Sequence, residues 1–277
     1  MTKSIAFQGE PGAYSQQACL KTYPDLTPLA CKTFEDAIEA VRSGEAELAM
    51  LPVENSTFGR VSDVYHLLPE SGLHIVNEAF VRVSIALMAL PGVALGDVKQ
   101  AMSHPMLLGQ CRAFLAEHGI ERVTGADTAG SARLVAELAD PSTAALAADL
   151  AAEIYGLNIL AREIEDEGNN TTRFLVMARK PDLSRRGPDG MITSFVFQVR
   201  NIPAALYKAM GGFATNGVNM TKLESYMVGG SFSATQFYAD VDGHPDDPSV
   251  SRALEELDYF TSEVKLLGVY PRDPSRD

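Results

Sequence analysis

From residue 5 to about residue 179 the chain alternates short apolar runs with amphipathic segments. This rhythm narrows the fold to an α/β unit on a largely parallel sheet, because strands buried on both faces read as apolar runs and the connecting helices as amphipathic ones. The first cycle predicts a strand over 5–8, a loop at Gly9-Glu10-Pro11-Gly12, and a helix from Gln16 with Ser15 as its N-cap. Thr33, with Asp36 three residues on, predicts a capping box for a helix over 34–42 that Gly44 stops. A buried strand over 48–51 leads into the polar loop 54–59, after which Val61, Val64, Tyr65 and Leu68 recur at helical spacing. A second set reads as another lobe: strands between 75 and 88, a strand near Ala101, a helix carrying Leu107, Cys111, Phe114 and Leu115 and ending at Gly119, and an Ala-rich helix over 144–155. Strands over 158–160 and 172–177 carry the chain back between the lobes.

Residues 181–190, with two Pro, two Gly and two adjacent Arg, read as a linker. Beyond it the pattern predicts a strand (193–199), a helix opened by Pro203 (203–215), a strand (220–227), a Gly229-Gly230 turn, an alternating strand (232–241), a helix (249–258) and a strand (264–270). That order is β-α-β-β-α-β, the ferredoxin-like plan.

A length of 277 residues suits about two domains. The net charge of −13 and the absence of any Lys/Arg run leave phosphate-backbone binding without a footprint, so no nucleic-acid partner is expected. The same charge repels an anionic ligand at long range, so an anion must be captured by donors arranged locally. Cys19, Cys31 and Cys111 are scattered and unpaired with His, which predicts buried thiols and no metal site. The most apolar stretch, 81–95, is interrupted by Arg82 and Pro91 and is too short to span a bilayer; with a strand beginning at Ile5, the expectation is a cytoplasmic protein without a membrane partner.

Four polar clusters close predicted strands, where open α/β sheets bind ligands. Gly9 to Ser15 (Gly-Glu-Pro-Gly-Ala-Tyr-Ser) runs into a helix N-terminus whose N–H groups suit a carboxylate; it also reads as an ordinary strand-to-helix turn. Glu54-Asn55-Ser56-Thr57-x-Gly59 crowds an amide, a carboxyl and two hydroxyls into four residues, which also suits a capping loop. Ser103-His104-Pro105 precedes Gln110, with Ser103 a candidate helix cap and His104 a packed or exposed loop histidine. Asn169-Asn170-Thr171-Thr172-Arg173-Phe174 packs four neutral polar side chains and a cation before an apolar run. No paired carboxylates, metal-ligand set or Ser-His-Asp motif accompanies them, so the chemistry left is binding a small dianion and stabilising charge as it moves.

Taken together in order and spacing, these clusters resemble prephenate dehydratases. The resemblance runs over nearly the whole chain, through Gly9 to Ser15, Pro52-Val53-Glu54-Asn55-Ser56 with Gly59, Ser103-His104-Pro105 with Gln110 and Cys111, and Thr172-Arg173-Phe174. It implies a two-lobed catalytic domain like a periplasmic binding protein over 1–180 (lobe one about 1–78 and 162–180, lobe two about 79–161), the linker 181–190, and an ACT regulatory domain over 191–273. It further implies a cofactor-free, metal-free lyase that converts prephenate to phenylpyruvate. Thr172, Asn55, Gln110 and Ser103 are then the catalytic candidates, with Thr172 donating to the leaving hydroxyl. Arg173, Phe174, Gly12, Ala13, Tyr14, Ser56 and Thr57 are the substrate-binding candidates. In the tail, Pro203-Ala204-Ala205-Leu206 and Glu224-Ser225-Tyr226-Met227 stand where family members carry Gly-Ala-Leu and Glu-Ser-Arg-Pro. Phenylalanine inhibition is expected there, through Ala204, Ala205, Leu206, Leu223, Glu224 and Ser225, in a homodimer or homotetramer. Arogenate dehydration and non-catalytic amino-acid sensing are the alternative readings.

Overall fold

A computed structural model describes residues 3–227 and 234–276. The Gly229-Gly230 turn and the beginning of the strand expected from Phe232 lie outside the described residues. In chain order, β1 (Ser4–Gln8), α1 (Tyr14–Thr22), β2 (Thr27–Cys31), α2 (Phe34–Ser43), β3 (Leu48–Asn55) and β4 (Gly59–Arg60) form the opening block. Then come α3 (Ser62–Leu67), β5 (His74–Arg82), β6 (Ala86–Ala89), β7 (Gln100–Ser103), α4 (Pro105–Gln110), α5 (Arg112–Glu117), β8 (Glu121–Thr124) and α6 (Thr128–Leu138). β9 (Thr143–Ala147), α7 (Asp149–Tyr155), β10 (Asn158–Ala161) and β11 (Thr171–Ala178) follow. The tail consists of β12 (Met191–Val199), α8 (Ala205–Thr215), β13 (Met220–Met227), β14 (Ala234–Asp242), α9 (Pro248–Phe260) and β15 (Thr261–Pro271).

The α2 capping box is present as expected: the Thr33 side chain accepts from the Asp36 N–H, Asp36 accepts from the Thr33 N–H, and Gly44 ends the helix in the left-handed region at φ 89°. Four local expectations are corrected. α1 begins at Tyr14 with Ala13 as N-cap, so Ser15 lies inside the helix rather than capping it. The helix expected through Cys111 is two short helices, with Cys111 at the break between them. The helix expected over 144–155 is a strand followed by a shorter helix. Thr143–Ala147 is buried at every position between β6 and β7, and small side chains fit a central strand covered on both faces, whatever their helix propensity. α6, capped by Asp127 accepting from the Gly130 N–H at 2.6 Å, had no counterpart in the sequence reading. At α8, Ala204 takes the left-handed conformation (φ 63°), so the helix starts after it and not at Pro203.

The molecule divides into two compact units, 1–61 with 80–174 and 62–79 with 175–277; β5 and β11 each contribute residues to both. The first unit holds two α/β lobes. One is built on the strand order β11-β3-β1-β2, with β1 parallel to both β2 and β3 and with β4 folded back on β3. The other is a five-stranded sheet of order β10-β6-β9-β7-β8, parallel across β9-β7-β8. Its cores lie under the sheet faces, one around Ile85, Leu87 and Leu146 and one around Met88, Val135 and Ala145.

In the second unit the order β13-β14-β12-β15 is the ferredoxin-like arrangement, and the pattern reading of the tail anticipated its elements. β5 lies beside β15, where Gly268 faces Ile75. A Cβ at Gly268 would sit 2.1 Å from the Ile75 carbonyl oxygen, so only glycine permits that approach. This neighbour explains why residues 62–79 pack with the tail rather than with the strands that flank them in sequence. Stacked Phe195 and Phe213, with Phe197 and Phe237, fill the core under α8 and α9. Behind that core lies a buried polar cluster. The Asp240 carboxylate accepts from Ser194 (2.5 Å), Tyr238 (2.6 Å) and Arg276 (2.8 Å), and Arg276 also reaches Glu78 (3.2 Å) and Thr221 (2.6 Å).

Candidate active site

β3 ends and β11 begins at one place in the first unit, and side chains lace the two together. The Ser56 N–H donates to the Thr171 carbonyl, the Thr171 N–H donates to Ser56 Oγ, and that hydroxyl donates to the Asn169 carbonyl, each at 2.9 Å. Ser56 is thus a staple between strands. Asn55 beside it uses its whole carboxamide. Oδ1 accepts from the Thr57 and Phe58 N–H groups, both at 3.0 Å, while Nδ2 donates to Asn170 Oδ1 at 2.6 Å and to Thr172 Oγ1 at 3.0 Å. Residues 117 positions apart in sequence therefore meet at hydrogen-bond distance. The bond into Thr172 occupies an oxygen lone pair and leaves the hydroxyl proton to be given outward; among the described residues it has no acceptor.

Asn170, Thr57 and Gln110 line a cavity of about 510 Å³, with Phe58 and Met106 as its apolar wall. Gln110 Oε1 is buried with no hydrogen-bond partner among the described residues, which suits an oxygen waiting for a donor on a ligand. Arg112, Asp166 and Glu167 add charge at the same cavity, and Gln110 is tied in place by its carbonyl accepting from the Asp166 N–H at 2.6 Å. Ser103 is fully buried and donates to the Leu146 carbonyl at 2.7 Å, holding β7 beside β9; the cap expected of it is supplied instead by His104, whose Nδ1 accepts from the Met106 N–H.

The opening loop is held by the protein itself. Gly9 N–H donates to the Cys31 carbonyl, Gly12 N–H to Gln16 Oε1, and Ala13 N–H to the Glu10 carbonyl, so these three amides are not left over for a carboxylate. A Cβ on Gly12, at φ 90°, would come 2.8 Å from Ala151 Cα, which makes this glycine a packing requirement between the loop and α7. Tyr14 donates to the Ser84 carbonyl at 2.9 Å, and burial pushes its phenol well above the usual range. Ala13 and Tyr14 do line a second cavity of about 590 Å³, with Lys32 and His104. Arg173 is 3% exposed and pairs with Glu54 at 3.0 Å on the strand face opposite Thr172, and Phe174, 1% exposed, belongs to the core. The sequence reading named Asn170 only as part of a run and gave Glu54 no partner. Period-two alternation was the available signal, since it puts 170 and 172 on one face and 171 and 173 on the other.

In the second unit, Ala204, Ala205 and Leu206 form the start of α8, and Leu223, Glu224 and Ser225 lie on β13, where Glu224 pairs with Lys222 at 2.8 Å. No group of three or more His, Cys, Asp or Glu side chains among the described residues is placed to hold a metal ion. No described helix is long and apolar enough to cross a membrane.

Residues 5–182 match the family model described as prephenate dehydratase. The chain belongs to the prephenate dehydratase family. A relative from Komagataeibacter europaeus, named bifunctional N-acyl-homoserine lactone acylase/prephenate dehydratase, is 52% identical over 98% of this chain and 97% of its own length. Arogenate dehydratase/prephenate dehydratase 1 of Arabidopsis thaliana is 39% identical over 97% of this chain and 72% of that one. Among solved structures, prephenate dehydratase from Arthrobacter aurescens in complex with L-Phe superposes with a TM-score of 0.89 at 34% identity, covering 97% of this chain and 90% of the other. The chain is thus a lyase of the prephenate dehydratase family, with the two-lobed α/β fold of its catalytic domain.

Proposed function

We propose that this enzyme converts prephenate to phenylpyruvate in phenylalanine biosynthesis, at Asn55, Thr172, Gln110 and their neighbours. The ring carboxylate leaves as carbon dioxide, its bonding electrons enter the ring, and the ring hydroxyl departs and is protonated to water. Aromatisation drives the step, so the protein need only favour departure of hydroxide. The observation that supports the reading is the Asn55 bond into Thr172, which occupies a lone pair of that hydroxyl and leaves its proton available to a ligand oxygen. At an ordinary Thr acidity this is hydrogen-bond stabilisation of the departing oxygen rather than full proton transfer. Ser103 acts by holding β7, and Gln110 by accepting from the substrate.

The tail from 191 to 273 is read as an ACT domain joined through 181–190 to a catalytic domain over 1–180. Feedback by phenylalanine through 204–206 and 223–225 is the corresponding proposal, supported by the L-Phe complex of the Arthrobacter relative. The protein is read as cytoplasmic and as a homodimer or homotetramer, without a cofactor. Two further substrates have a specific observation behind them. Asp166 and Glu167 at the cavity would attract the ammonium of arogenate, and plant relatives bear that name. The apolar wall of Phe58 (45% exposed) and Met106 (38% exposed) would accept the acyl chain of an N-acyl-homoserine lactone, an activity in the name of the Komagataeibacter relative.

One experiment separates these readings: turnover of prephenate, arogenate and an N-acyl-homoserine lactone side by side, with and without phenylalanine. Prephenate turnover inhibited by phenylalanine is the expected result. Phenylalanine binding with no turnover of any substrate would leave amino-acid sensing in its place.

A further inference from the structure

We infer that Asn170 is a positioning residue for the dehydration: its side-chain oxygen locks the Asn55 carboxamide in the one orientation that presents Nδ2 to Thr172. The inference rests on the dehydratase reading and assigns a role that substrate contact does not require.

Asn55 carries two N–H bonds on Nδ2, and they go to Asn170 Oδ1 and Thr172 Oγ1. Its oxygen is held on the other side by the Thr57 and Phe58 N–H groups. Those two backbone donors cannot reverse roles, so they fix which end of the amide is oxygen, and with four bonds in four directions the group has no freedom left. Asn170 supplies the shortest of the four, at 2.6 Å, from a residue only 3% exposed. Its own place is set by the backbone, because the Asn170 carbonyl accepts from the Val83 N–H at 2.8 Å independently of the side chain. With Asn170 Oδ1 gone, one Nδ2 proton of Asn55 seeks another acceptor, and the Thr172 hydroxyl is the one already adjacent. The amide then rocks about its Oδ1 bonds and Thr172 loses its fixed incoming donor. A hydroxyl that accepts a hydrogen bond is a better donor, so the lock acts on the proton Thr172 offers. Misaligning a donor aimed at a departing oxygen lowers kcat and leaves substrate binding nearly alone.

The test is a set of variants of the full chain, N170A, N170D, N55A and the N55A/N170A double, assayed with prephenate alongside thermal melts. N170A is expected to lower kcat by about tenfold or more with KM changed less than about threefold. N170D restores an oxygen acceptor and is expected to recover most of that loss. In the N55A background, removing Asn170 should add less than about twofold, since there is no amide left to lock. A folded N170A with kcat within twofold of the wild type overturns the inference, as does a full additional loss in the N55A background. If N170A does not fold, N170D decides: kcat closer to wild type than to N55A supports the lock, and kcat equal to that of N55A refutes it. The Asn55 side-chain amide resonances give a readout without turnover, with two dispersed, slowly exchanging protons expected in the wild type and N170D and averaging in N170A. Should the wild type turn over no prephenate, the dehydratase reading falls while these resonances still decide whether Asn170 holds Asn55.

Discussion

Arg276, near the end of the chain, bridges two buried carboxylates and is the residue whose loss should be felt most widely in the second unit. Its guanidinium is 10% exposed, whereas the side chains of Asp240 and Glu78 are fully buried. The bonds are 2.8 Å to Asp240, 3.2 Å to Glu78 and 2.6 Å to Thr221, so one cation serves β14, β5 and β13 at once. Arg276→Met keeps the aliphatic stem and removes the charge. Both carboxylates keep other donors, Ser194 and Tyr238 for Asp240 and the Asp273 N–H for Glu78, but neither keeps this cation. Removing one partner of a buried pair costs about 3–5 kcal/mol, and low exposure leaves little solvent screening to discount it. For a protein of this size each kcal/mol moves the melting temperature by about 2–4 °C, so the expected fall is on the order of 10 °C. Arg276→Lys should fall between, because an ammonium cannot reach three acceptors in the fixed fork that guanidinium offers. The control is Arg42→Met, which breaks an exposed pair with Glu39 and should move the melt by no more than a degree or two. Scanning calorimetry of the three variants decides the matter. An Arg276→Met protein melting within 2 °C of the wild type would refute the reasoning that the two carboxylates depend on it.

Thr172→Ala should lower kcat for prephenate about a hundredfold with an unchanged melting temperature, as loss of one donor to a developing charge predicts; near-normal turnover removes Thr172 from the mechanism. Arg173→Met should lower thermal stability by about 3–5 kcal/mol equivalents through loss of the buried pair with Glu54, and a folded variant with normal stability but a large rise in KM would return Arg173 to substrate binding. Burial pushes the Cys19 and Cys111 thiols up from 9.0 to about 12, so at pH 8 their thiolate population is about a thousandfold below that of an ordinary cysteine. Alkylation of both should therefore be slow until the chain unfolds, and rapid labelling of either in the folded protein contradicts their placement. The same shifts favour the folded state below the unfolded pKa of about 9, and that contribution is lost as pH rises toward 12, so melting temperature should fall over this alkaline window.

The parts of the site that were legible in sequence are those in which chemistry is crowded into a few adjacent letters. Asn55 and Thr172 stood out because neutral donors were dense beside apolar strands, and the structure brings them within 3.0 Å. Gly12, Arg173 and Phe174 belong to the same motifs, yet each faces the protein: Gly12 against Ala151, Arg173 against Glu54, Phe174 in the core. A motif records which residues travel together and does not say which face of the strand each one takes. Asn170 was visible as a letter, but its task depends on an amide 115 positions away.

The α/β alternation, the capping box at Thr33 and the ferredoxin-like order of the tail were fixed locally, because periodicity, caps and turns act over a few residues whose neighbours in sequence are neighbours in space. What packed against what was not. Ala144 to Ala147 form a strand because helices and sheet neighbours cover both faces of it, a demand that outweighs alanine's own preference for helix. Gly268 is glycine because Ile75 arrives beside it, and Arg276 matters because Glu78 and Asp240 are buried around it. Such pairings are made by chain segments brought together only on folding, and their energies depend on burial, which no stretch of residues carries by itself.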